Sequence, residues 1–168
     1  LKGVTIKINN RKILAAIAER IGAQDKLIDF TVALDKLDKI GAEKVKEEML
    51  SKGISPDGIT LLAPLFKIAG DFKAQLKALN TLLRNSDIGR EGLSELEFIA
   101  SKINDLGLKT ATLKLDITLA RGLNYYTGAI FEVSAPDNVA IGSIGGGGRY
   151  DDLTGIFGLK NMTSAISL

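Results

Sequence analysis

The spacing of apolar residues changes twice along the chain. Near its beginning, Val4, Ile6 and Ile8 alternate with polar residues, which predicts a short strand. From Asn10 to Gly107, apolar residues instead recur every three or four positions, as they do along one face of a helix. Alternation returns after Gly107. The pattern therefore predicts one strand, a long helical block and a second group of strands.

Capping and turn residues divide the helical block. Asn9 and Asn10 are good helix caps, because a short amide can accept hydrogen bonds from the free N–H groups of a first turn. Gly22 favours a left-handed stop for the first helix. Two further helices are predicted to end at Gly41 and Gly53, a turn is predicted at Ser55 to Gly58, and two amphipathic helices are predicted from Phe72 to Leu83 and from Leu93 to Leu106.

Three strands are predicted after the helical block. The residues from Ala111 to Leu119 alternate cleanly between apolar and polar types. Ala129 to Ser134 is rich in residues that favour strands, and Val139 to Ile144 is predicted as the third strand. Helices followed by an antiparallel sheet give an α+β fold. Since strands flank the helices on both sides, the helical block is predicted to be an insertion, with domain boundaries at 1–9, 10–107 and 108–168.

Composition narrows the function classes. The 22 basic and 20 acidic residues give a net charge of +2, which does not favour nucleic-acid binding on composition alone. The sequence has no cysteine and no histidine, which excludes disulfides, thiol nucleophiles, Ser-His-Asp triads and Cys/His zinc sites; no metal site is predicted. No apolar run is long enough to cross a membrane, and the sequence does not begin like a signal peptide. We therefore expect a cytoplasmic protein without membrane partners. Leu1 is not an initiator methionine, which favours a fragment of a longer protein.

Residues Arg121 to Gly128 bring unusual chemistry to the connection between two predicted strands. The segment holds one permanently charged arginine, an amide, a hydroxyl and two phenols, Tyr125 and Tyr126. A guanidinium matches carboxylate or phosphate oxygens, and a phenol can both donate and accept a hydrogen bond. Two interpretations are open from the residues alone. The segment is a ligand site, or it is a turn whose glycines bend the chain and whose tyrosines cover the end of a sheet.

A second unusual segment runs from Gly142 to Asp151. Glycines weaken a strand because they contribute no side-chain packing and lose much backbone entropy. One explanation for the glycines is a flexible loop, and the other is a ligand or a second backbone lying directly on the strand. No Gly-Lys-Ser or Gly-Lys-Thr follows, so this is not a phosphate-binding loop of that type. The residues concerned are Gly145, Gly146, Gly147 and Gly148, followed at once by Arg149 and Tyr150.

These two segments closely resemble the signature sequences of the histidyl-tRNA synthetases. RGLNYYTGAIFE covers residues 121–132, and GGGGRYDDL covers residues 145–153. INNRKIL at 8–14 and ALDKLDKIG at 33–41 are similar to the central region of the same family. The resemblance extends over essentially the whole chain, with the segments in the expected order.

The resemblance implies a class II synthetase fold, in which an antiparallel sheet carries the active site and a helical insertion domain approaches the tRNA. It implies activation of histidine by ATP to histidyl-adenylate, followed by transfer to tRNA(His). Arg121 matches the catalytic arginine that contacts the α-phosphate and the histidine carboxylate. Tyr125 and Tyr126 match tyrosines that bind the imidazole. The glycine run would let histidine and adenylate lie against the sheet, with Arg149 and Tyr150 beside them.

The resemblance also implies cofactors and partners, and it shows which family motifs this segment lacks. Histidine, ATP and tRNA(His) are the implied partners of a homodimeric enzyme, with ATP as a substrate and Mg²⁺ in the intact enzyme but no dedicated site for either in this segment. The class II dimer motif, the motif-two and motif-three arginines and the anticodon-binding domain are missing, so this segment is expected to be inactive alone. Asn124 stands where many members have Asp, and Asp152 replaces a frequent Gly.

Two alternatives come from other functional classes. A synthetase-like paralogue, such as the regulatory subunit of ATP phosphoribosyltransferase, would keep the fold as a histidine sensor without catalysis. The presence of Arg121 together with Tyr125 and Tyr126 argues against that interpretation. A helical RNA-binding or scaffold module without a pocket would leave both unusual segments unexplained.

Overall fold

A computed structural model of the chain describes residues 3–120, 125–136, 138–159 and 166–167. Within these ranges the strands are β1 (Val4–Asn10), β2 (Ala111–Leu115), β3 (Ala129–Ser134), β4 (Ser143–Arg149) and β5 (Ile166–Ser167). The α-helices are α1 (Arg11–Arg20), α2 (Leu27–Leu34), α3 (Leu37–Ser51), α4 (Pro56–Leu62), α5 (Phe72–Leu83), α6 (Asp87–Leu106) and α7 (Leu153–Ile156), with 3-10 turns at Gln24–Lys26 and Leu65–Lys67. The predicted α+β composition is confirmed, and the helices α1 to α6 lie between β1 and β2 along the chain.

The described strands form one mixed sheet in the order β2-β1-β3-β4-β5. β1 runs parallel to β2, whereas β1 with β3, β3 with β4 and β4 with β5 are antiparallel. The predicted antiparallel sheet is therefore extended by one parallel pair, β1 with β2, which the sequence analysis did not anticipate. Parallel neighbours need a long crossover connection, and the helical block between β1 and β2 supplies one. Alternation along a strand reports its buried face, but it carries no information about the direction of its neighbour.

The first predicted strand of the second group is shorter in the structure. β2 ends at Leu115, because Asp116 begins a turn in which its carboxylate accepts hydrogen bonds from the backbone N–H and the hydroxyl of Thr118. Ile117 and Leu119 are nevertheless buried, at 9% and 4% exposed. The alternating pattern thus continues beyond the strand, since this turn buries every second residue as the strand does.

The third predicted strand, Val139 to Ile144, was placed too early. The observed strand β4 begins at Ser143 and includes the entire glycine run. Its register with β3 pairs Gly148 with Ile130 and Gly145 with Val133. Glycine has low strand propensity, which is why the sequence favoured the preceding residues. Backbone hydrogen bonds to a strong neighbouring strand do not require side chains, so the glycines are held in the sheet.

The predicted helix boundaries are partly confirmed. The Asn10 side chain accepts from the Lys12 N–H at 2.9 Å and caps α1. Gly22 and Gly107 follow helix ends with positive φ, at 67° and 73°. The single helix predicted to reach Gly41 was wrong: α2 ends at Leu34, and Gly41 lies at a kink inside α3 with φ 79°. The spacing of leucines across the break suits one helix or two, so periodicity did not reveal it.

A single hydrophobic cluster joins the sheet to the helices. Ile8 of β1 and Leu115 of β2 are buried together with Ile13 and Ile17 of α1 and Leu96 of α6. Burial of such side chains is the main stabilising contribution to a fold of this size. Within the described ranges, no helix combines the length and apolar character needed to cross a membrane.

The end of β1 is tied closely to α6. A Cβ on Gly92 of α6 would lie 3.0 Å from Cγ1 of Ile13 and 3.0 Å from Cβ of Lys12, so only glycine allows this approach without displacement. Asn10 donates from Nδ2 to the carboxylate of Glu95 at 2.6 Å, and the Lys12 ammonium contacts the same carboxylate. These contacts fix α6 against the strand end where the unusual segments lie.

Candidate functional site

The two unusual segments meet in the structure. Tyr125 to Gly128 lies immediately before β3, and Arg149 to Asp151 lies at the end of β4. Because β3 and β4 are antiparallel, the beginning of one is beside the end of the other, and Ile130 pairs with Gly148. Sheet topology therefore makes one site from segments that are separate in the sequence.

Hydrogen bonds of Thr127 join the segments. The backbone N–H of Thr127 donates to the carbonyl of Arg149 at 2.8 Å. The Thr127 hydroxyl donates to Oδ2 of Asp151 at 2.9 Å and accepts from the Asp151 N–H at 3.1 Å. Sequence reasoning did not single out Thr127 or Asp151 for a role, although both lie within the quoted signatures.

The three tyrosines of the chain form a cluster at this junction. The Tyr125 ring stacks on the Tyr150 ring with centroids 4.7 Å apart and an interplanar angle of 26°. Tyr126 meets Tyr125 edge-on, with centroids 4.4 Å apart. A hydrogen bond with the Tyr126 phenol, followed by partial burial, raises the pKa of Tyr125 above its ordinary value. The Tyr125 phenol therefore keeps its proton at neutral pH and can act as a donor.

The glycine strand provides a surface for one of these rings. A Cβ on Gly148 would lie 2.7 Å from the carbonyl oxygen of Ala129 and 2.8 Å from Cδ1 of Tyr126. The first of these atoms is backbone in a paired strand, so it cannot move away easily. The Tyr126 ring thus lies directly against the bare backbone of β4. This explains a glycine at position 148 by close contact rather than by loop flexibility.

A cavity of about 280 Å³ opens beside this cluster. Its volume is near the lower end of the range for small-molecule sites, which suits a ligand no larger than an amino acid. It is lined by Tyr125, Tyr126, Phe131, Ser143, Ile144, Gly145, Gly146 and Gly147. Two phenols, one hydroxyl and the glycine backbone give it several polar groups against an aromatic wall. The structure thus brings together both predicted tyrosines and three of the four predicted glycines.

Arg149 lies outside that cavity. Its Nε donates to Oδ1 of Asp151 at 2.8 Å, and its Nη1 is 3.6 Å from the Glu95 carboxylate of α6. Together with Phe98 and Ile99 it lines a separate groove between α6 and β3. The hydrogen bond to Asp151 raises the pKa of the Arg149 guanidinium, which keeps it charged. A direct contact between Arg149 and a substrate stays a prediction.

Arg121 and Asn124 lie outside the described residues. The segment that leads to them is described, however, and it is held firmly. Asn9 is fully buried and donates from Nδ2 to the carbonyls of Ile117 and Leu119, at 3.2 Å and 2.9 Å. The sequence analysis considered Asn9 only as a helix cap. The sequence did contain a signal for this role, namely two adjacent asparagines at a strand end. Only one of them can occupy the cap position, so the other amide needs a different hydrogen-bond partner.

The chain matches a family model described as histidyl-tRNA synthetase over residues 1–167. It belongs to the histidyl-tRNA synthetase family. The match covers both unusual segments and the helical block in one alignment, as the resemblance of the quoted motifs predicted.

Similar proteins and solved structures support the same family assignment. The histidine–tRNA ligase of Flavobacterium johnsoniae is 68% identical over 97% of this chain, which covers 34% of that protein. A crystal structure of histidyl-tRNA synthetase from Nostoc superposes with a TM-score of 0.84 at 34% identity, covering 97% of this chain and 38% of the other. The class II synthetase fold is thereby confirmed. The chain spans about a third of the length of the curated relatives it matches.

One further structural neighbour bears on the alternative function. An ATP phosphoribosyltransferase regulatory subunit/histidyl-tRNA synthetase from Bacillus halodurans superposes with a TM-score of 0.77 at 20% identity, covering 99% of this chain and 41% of that one. At this identity the similarity concerns the fold alone. The fold is therefore shared by proteins described as enzyme and as regulatory subunit, and the side chains of the site must distinguish them.

Proposed function

We propose that the full-length protein is a histidine–tRNA ligase, which activates histidine with ATP to histidyl-adenylate and transfers the histidyl group to tRNA(His). The observation that carries this proposal is the convergence of both signature segments on one cavity lined by Tyr125, Tyr126 and the glycine strand. The names of the relatives support the same activity for proteins of which this chain matches about a third.

The cavity suits the histidine side chain. A neutral imidazole presents one N–H donor and one acceptor nitrogen, so it needs partners of both kinds. Phenols satisfy either requirement, and the protonated Tyr125 hydroxyl can donate to the acceptor nitrogen directly or through Tyr126. The bare strand from Gly145 to Gly147 lets the ligand approach the backbone more closely than any other residue type would allow.

Arg121 is the proposed catalytic residue. During activation the histidine carboxylate attacks the α-phosphate of ATP, and negative charge grows on the phosphate oxygens. A preplaced guanidinium stabilises that charge in the transition state more than in the ground state. Mg²⁺ is expected to accompany ATP in the intact enzyme, and the described residues offer no cluster of acidic side chains to hold it.

The remaining partners belong to the whole protein. ATP needs contacts that lie outside this chain, and tRNA(His) needs an anticodon-binding domain and the approach of the helical block to its acceptor arm. We infer a homodimer for the intact enzyme from family resemblance. The 168-residue chain itself is expected to fold and to lack aminoacylation activity.

Histidine-dependent exchange of pyrophosphate into ATP by the full-length protein tests the proposal. Wild type should support exchange with histidine and not with other amino acids. Tyr126→Phe should raise KM for histidine by about tenfold, the expected effect of one lost hydrogen bond of ordinary strength. Thr60→Val is the control, because the Thr60 hydroxyl contacts only the backbone of α4. Histidine binding by calorimetry without any exchange would instead support the histidine-sensor alternative.

A further inference from the structure

Asn9 occupies an unusual place for an amide. It lies near the end of β1 with no exposed surface, and its neighbour Asn10 is equally buried. Successive side chains of a strand point to opposite faces, so the two amides serve different parts of the protein. Asn10 caps α1 and contacts α6, whereas Asn9 reaches the segment after β2 and donates to the carbonyls of Ile117 and Leu119.

The segment contacted by Asn9 is fixed at its other end as well. The backbone N–H of Asp116 donates to the carbonyl of Ile8 at 3.0 Å. The Asp116 carboxylate accepts from Thr118 and pairs with the Lys7 ammonium at 3.1 Å. The neighbouring strand β1 therefore holds this turn at several points. Lys7 and Ile8 contact Asp116, and Asn9 contacts Ile117 and Leu119. The turn has little freedom to move independently of β1.

The acceptor side of the same amide is unsatisfied. Oδ1 of Asn9 is buried, and none of the described residues donates a hydrogen bond to it. A buried acceptor in that state is destabilising, and native proteins contain few of them. An apolar residue at position 9 would avoid this penalty and would lose only the two donor contacts. Those contacts are therefore the reason that the structure offers for an amide at this place.

We propose that Asn9 is a positioning residue for catalysis: by holding the carbonyls of Ile117 and Leu119, it sets the path along which the chain enters the segment that begins at Arg121. The inference rests on the proposed function, because that function makes Arg121 the group whose placement matters. In the sequence only Ala120 stands between Leu119 and Arg121, so the residues held by Asn9 are among the last described ones before the proposed catalytic arginine. Small displacements of a group that stabilises developing charge lower the rate strongly while leaving binding elsewhere intact.

A matched pair of variants separates positioning from general stability. Asn9→Ala removes the two donors to the segment before Arg121. Asn10→Ala removes an equally buried amide from the adjacent position, and with it the α1 cap and the Glu95 contact, without touching that segment. Both variants are made in the full-length protein, and their melting temperatures establish that both fold. Histidine-dependent pyrophosphate exchange then gives kcat and KM for each.

We expect Asn9→Ala to lower kcat for exchange at least tenfold with KM for histidine within about twofold of wild type, because Asn9 is not among the residues that line the cavity. Asn10→Ala should lower the melting temperature by a similar amount but lower kcat severalfold less than Asn9→Ala, because it loses the Glu95 contact and leaves the segment before Arg121 held by Asn9. Equal kcat values for the two variants, or a loss confined to KM, would overturn the inference.

Hydrogen exchange provides a readout that does not depend on activity. The N–H groups of Thr118 and Leu119 are both bonded to Asp116, and they should exchange faster in Asn9→Ala than in Asn10→Ala. Unchanged protection at both amides in Asn9→Ala would contradict the proposed restraint. A wild-type protein that shows no histidine-dependent exchange would refute the proposed function, and the hydrogen-exchange comparison would still decide whether Asn9 restrains the segment.

Discussion

Thr127 and Asp151 exchange hydrogen bonds in both directions: the threonine hydroxyl donates to the carboxylate and accepts from the aspartate N–H. The two signature segments are thereby a single structural unit at the junction of β3 and β4. The stacked rings of Tyr125 and Tyr150 lie across the same junction. Any change that separates Thr127 from Asp151 should therefore disturb the tyrosines of the cavity.

Thr127→Val tests this coupling. Valine keeps the shape of threonine but cannot donate to the Asp151 carboxylate or accept from its N–H. We expect a loss of about 1 to 2 kcal/mol in the free energy of unfolding, measured by urea denaturation, since two partly buried partners lose their contact. KM for histidine should rise severalfold in the full-length protein. Thr81→Val, which removes a hydroxyl that bonds only within α5, is the control and should change neither quantity.

Gly148→Ala tests the contact between Tyr126 and the strand. The new methyl would overlap the Ala129 carbonyl and the Tyr126 ring, and overpacking of this kind costs about 1 to 3 kcal/mol. We expect weaker histidine binding by calorimetry, since the ring must leave its place at the cavity. Gly142→Ala is the control because a Cβ there meets nothing within 4 Å. Equal affinities for the two variants would mean that Tyr126 does not depend on the bare strand.

Arg121→Ala tests the catalytic assignment in the full-length protein. Loss of one preorganised donor to a developing negative charge typically costs about 3 kcal/mol, or more than a hundredfold in rate. Pyrophosphate exchange should fall accordingly, with a smaller effect on histidine affinity. Near-normal exchange would remove Arg121 from the mechanism.

The contacts of Asp116 should make the free energy of unfolding depend on pH in the acidic range. Burial acts to raise the pKa of its carboxyl, but hydrogen bonds from Thr118 and the Lys7 ammonium outweigh burial and hold the pKa below its ordinary value. A carboxyl with a lowered folded pKa stabilises the protein above its unfolded pKa, and that contribution is lost as pH falls through the folded pKa. The difference in unfolding free energy between wild type and Asp116→Asn should therefore be constant above about pH 5 and should shrink below about pH 4.

The control for this measurement is Asp105→Asn at the exposed end of α6, where the carboxylate pairs with the exposed Lys102 ammonium at 3.7 Å. Surface pairs contribute little, so wild type and Asp105→Asn should have similar stability at every pH. A pH-independent difference for Asp116→Asn would show that its carboxylate is not the titrating group.

The isolated 168-residue chain should fold cooperatively without charging tRNA. Its buried cluster joins the helices to the sheet, which provides a core. Under the proposed function, part of the ATP contacts belongs to the rest of the full-length protein, so this chain is expected not to hold the triphosphate in line for attack. Purified chain mixed with ATP, histidine and tRNA(His) should therefore give no charged tRNA. Turnover that survives repurification and disappears in Arg121→Ala would contradict the prediction.

Local rules accounted for much of the architecture. Asn10 was predictable as a cap because capping depends on residues within one helical turn. The strand at Ala129–Ser134 was predictable because its residues prefer extended backbone, whatever their neighbours. The chemistry of Tyr125 and Tyr126 could be stated from the residues, but their meeting with the glycine strand in one cavity depends on the pairing of β3 with β4.

Several features that the sequence did not reveal depend on contacts made in the folded protein. The parallel pairing of Val4 with Ala111 could not be inferred from alternation, which is the same for either strand direction. The partners of Asn9 lie 108 and 110 residues away. Arg149 lies within the second signature segment, and its ion pairs with Asp151 and Glu95 place its side chain at the groove beside α6. Each of these positions is determined by tertiary contacts that no local pattern contains.

The parallel pairing of β1 with β2 limits how the helical block can be altered by protein engineering. The block leaves the sheet after Asn10 and returns beside Gly3, whose N–H donates to the Thr110 carbonyl. Those two points are separated by the length of β1, roughly 20 Å for its seven residues. α6, with twenty residues and a length of roughly 30 Å, is the element that carries the chain back across this distance. A shortened version of the protein without α6 would need a new spacer as long as the strand itself.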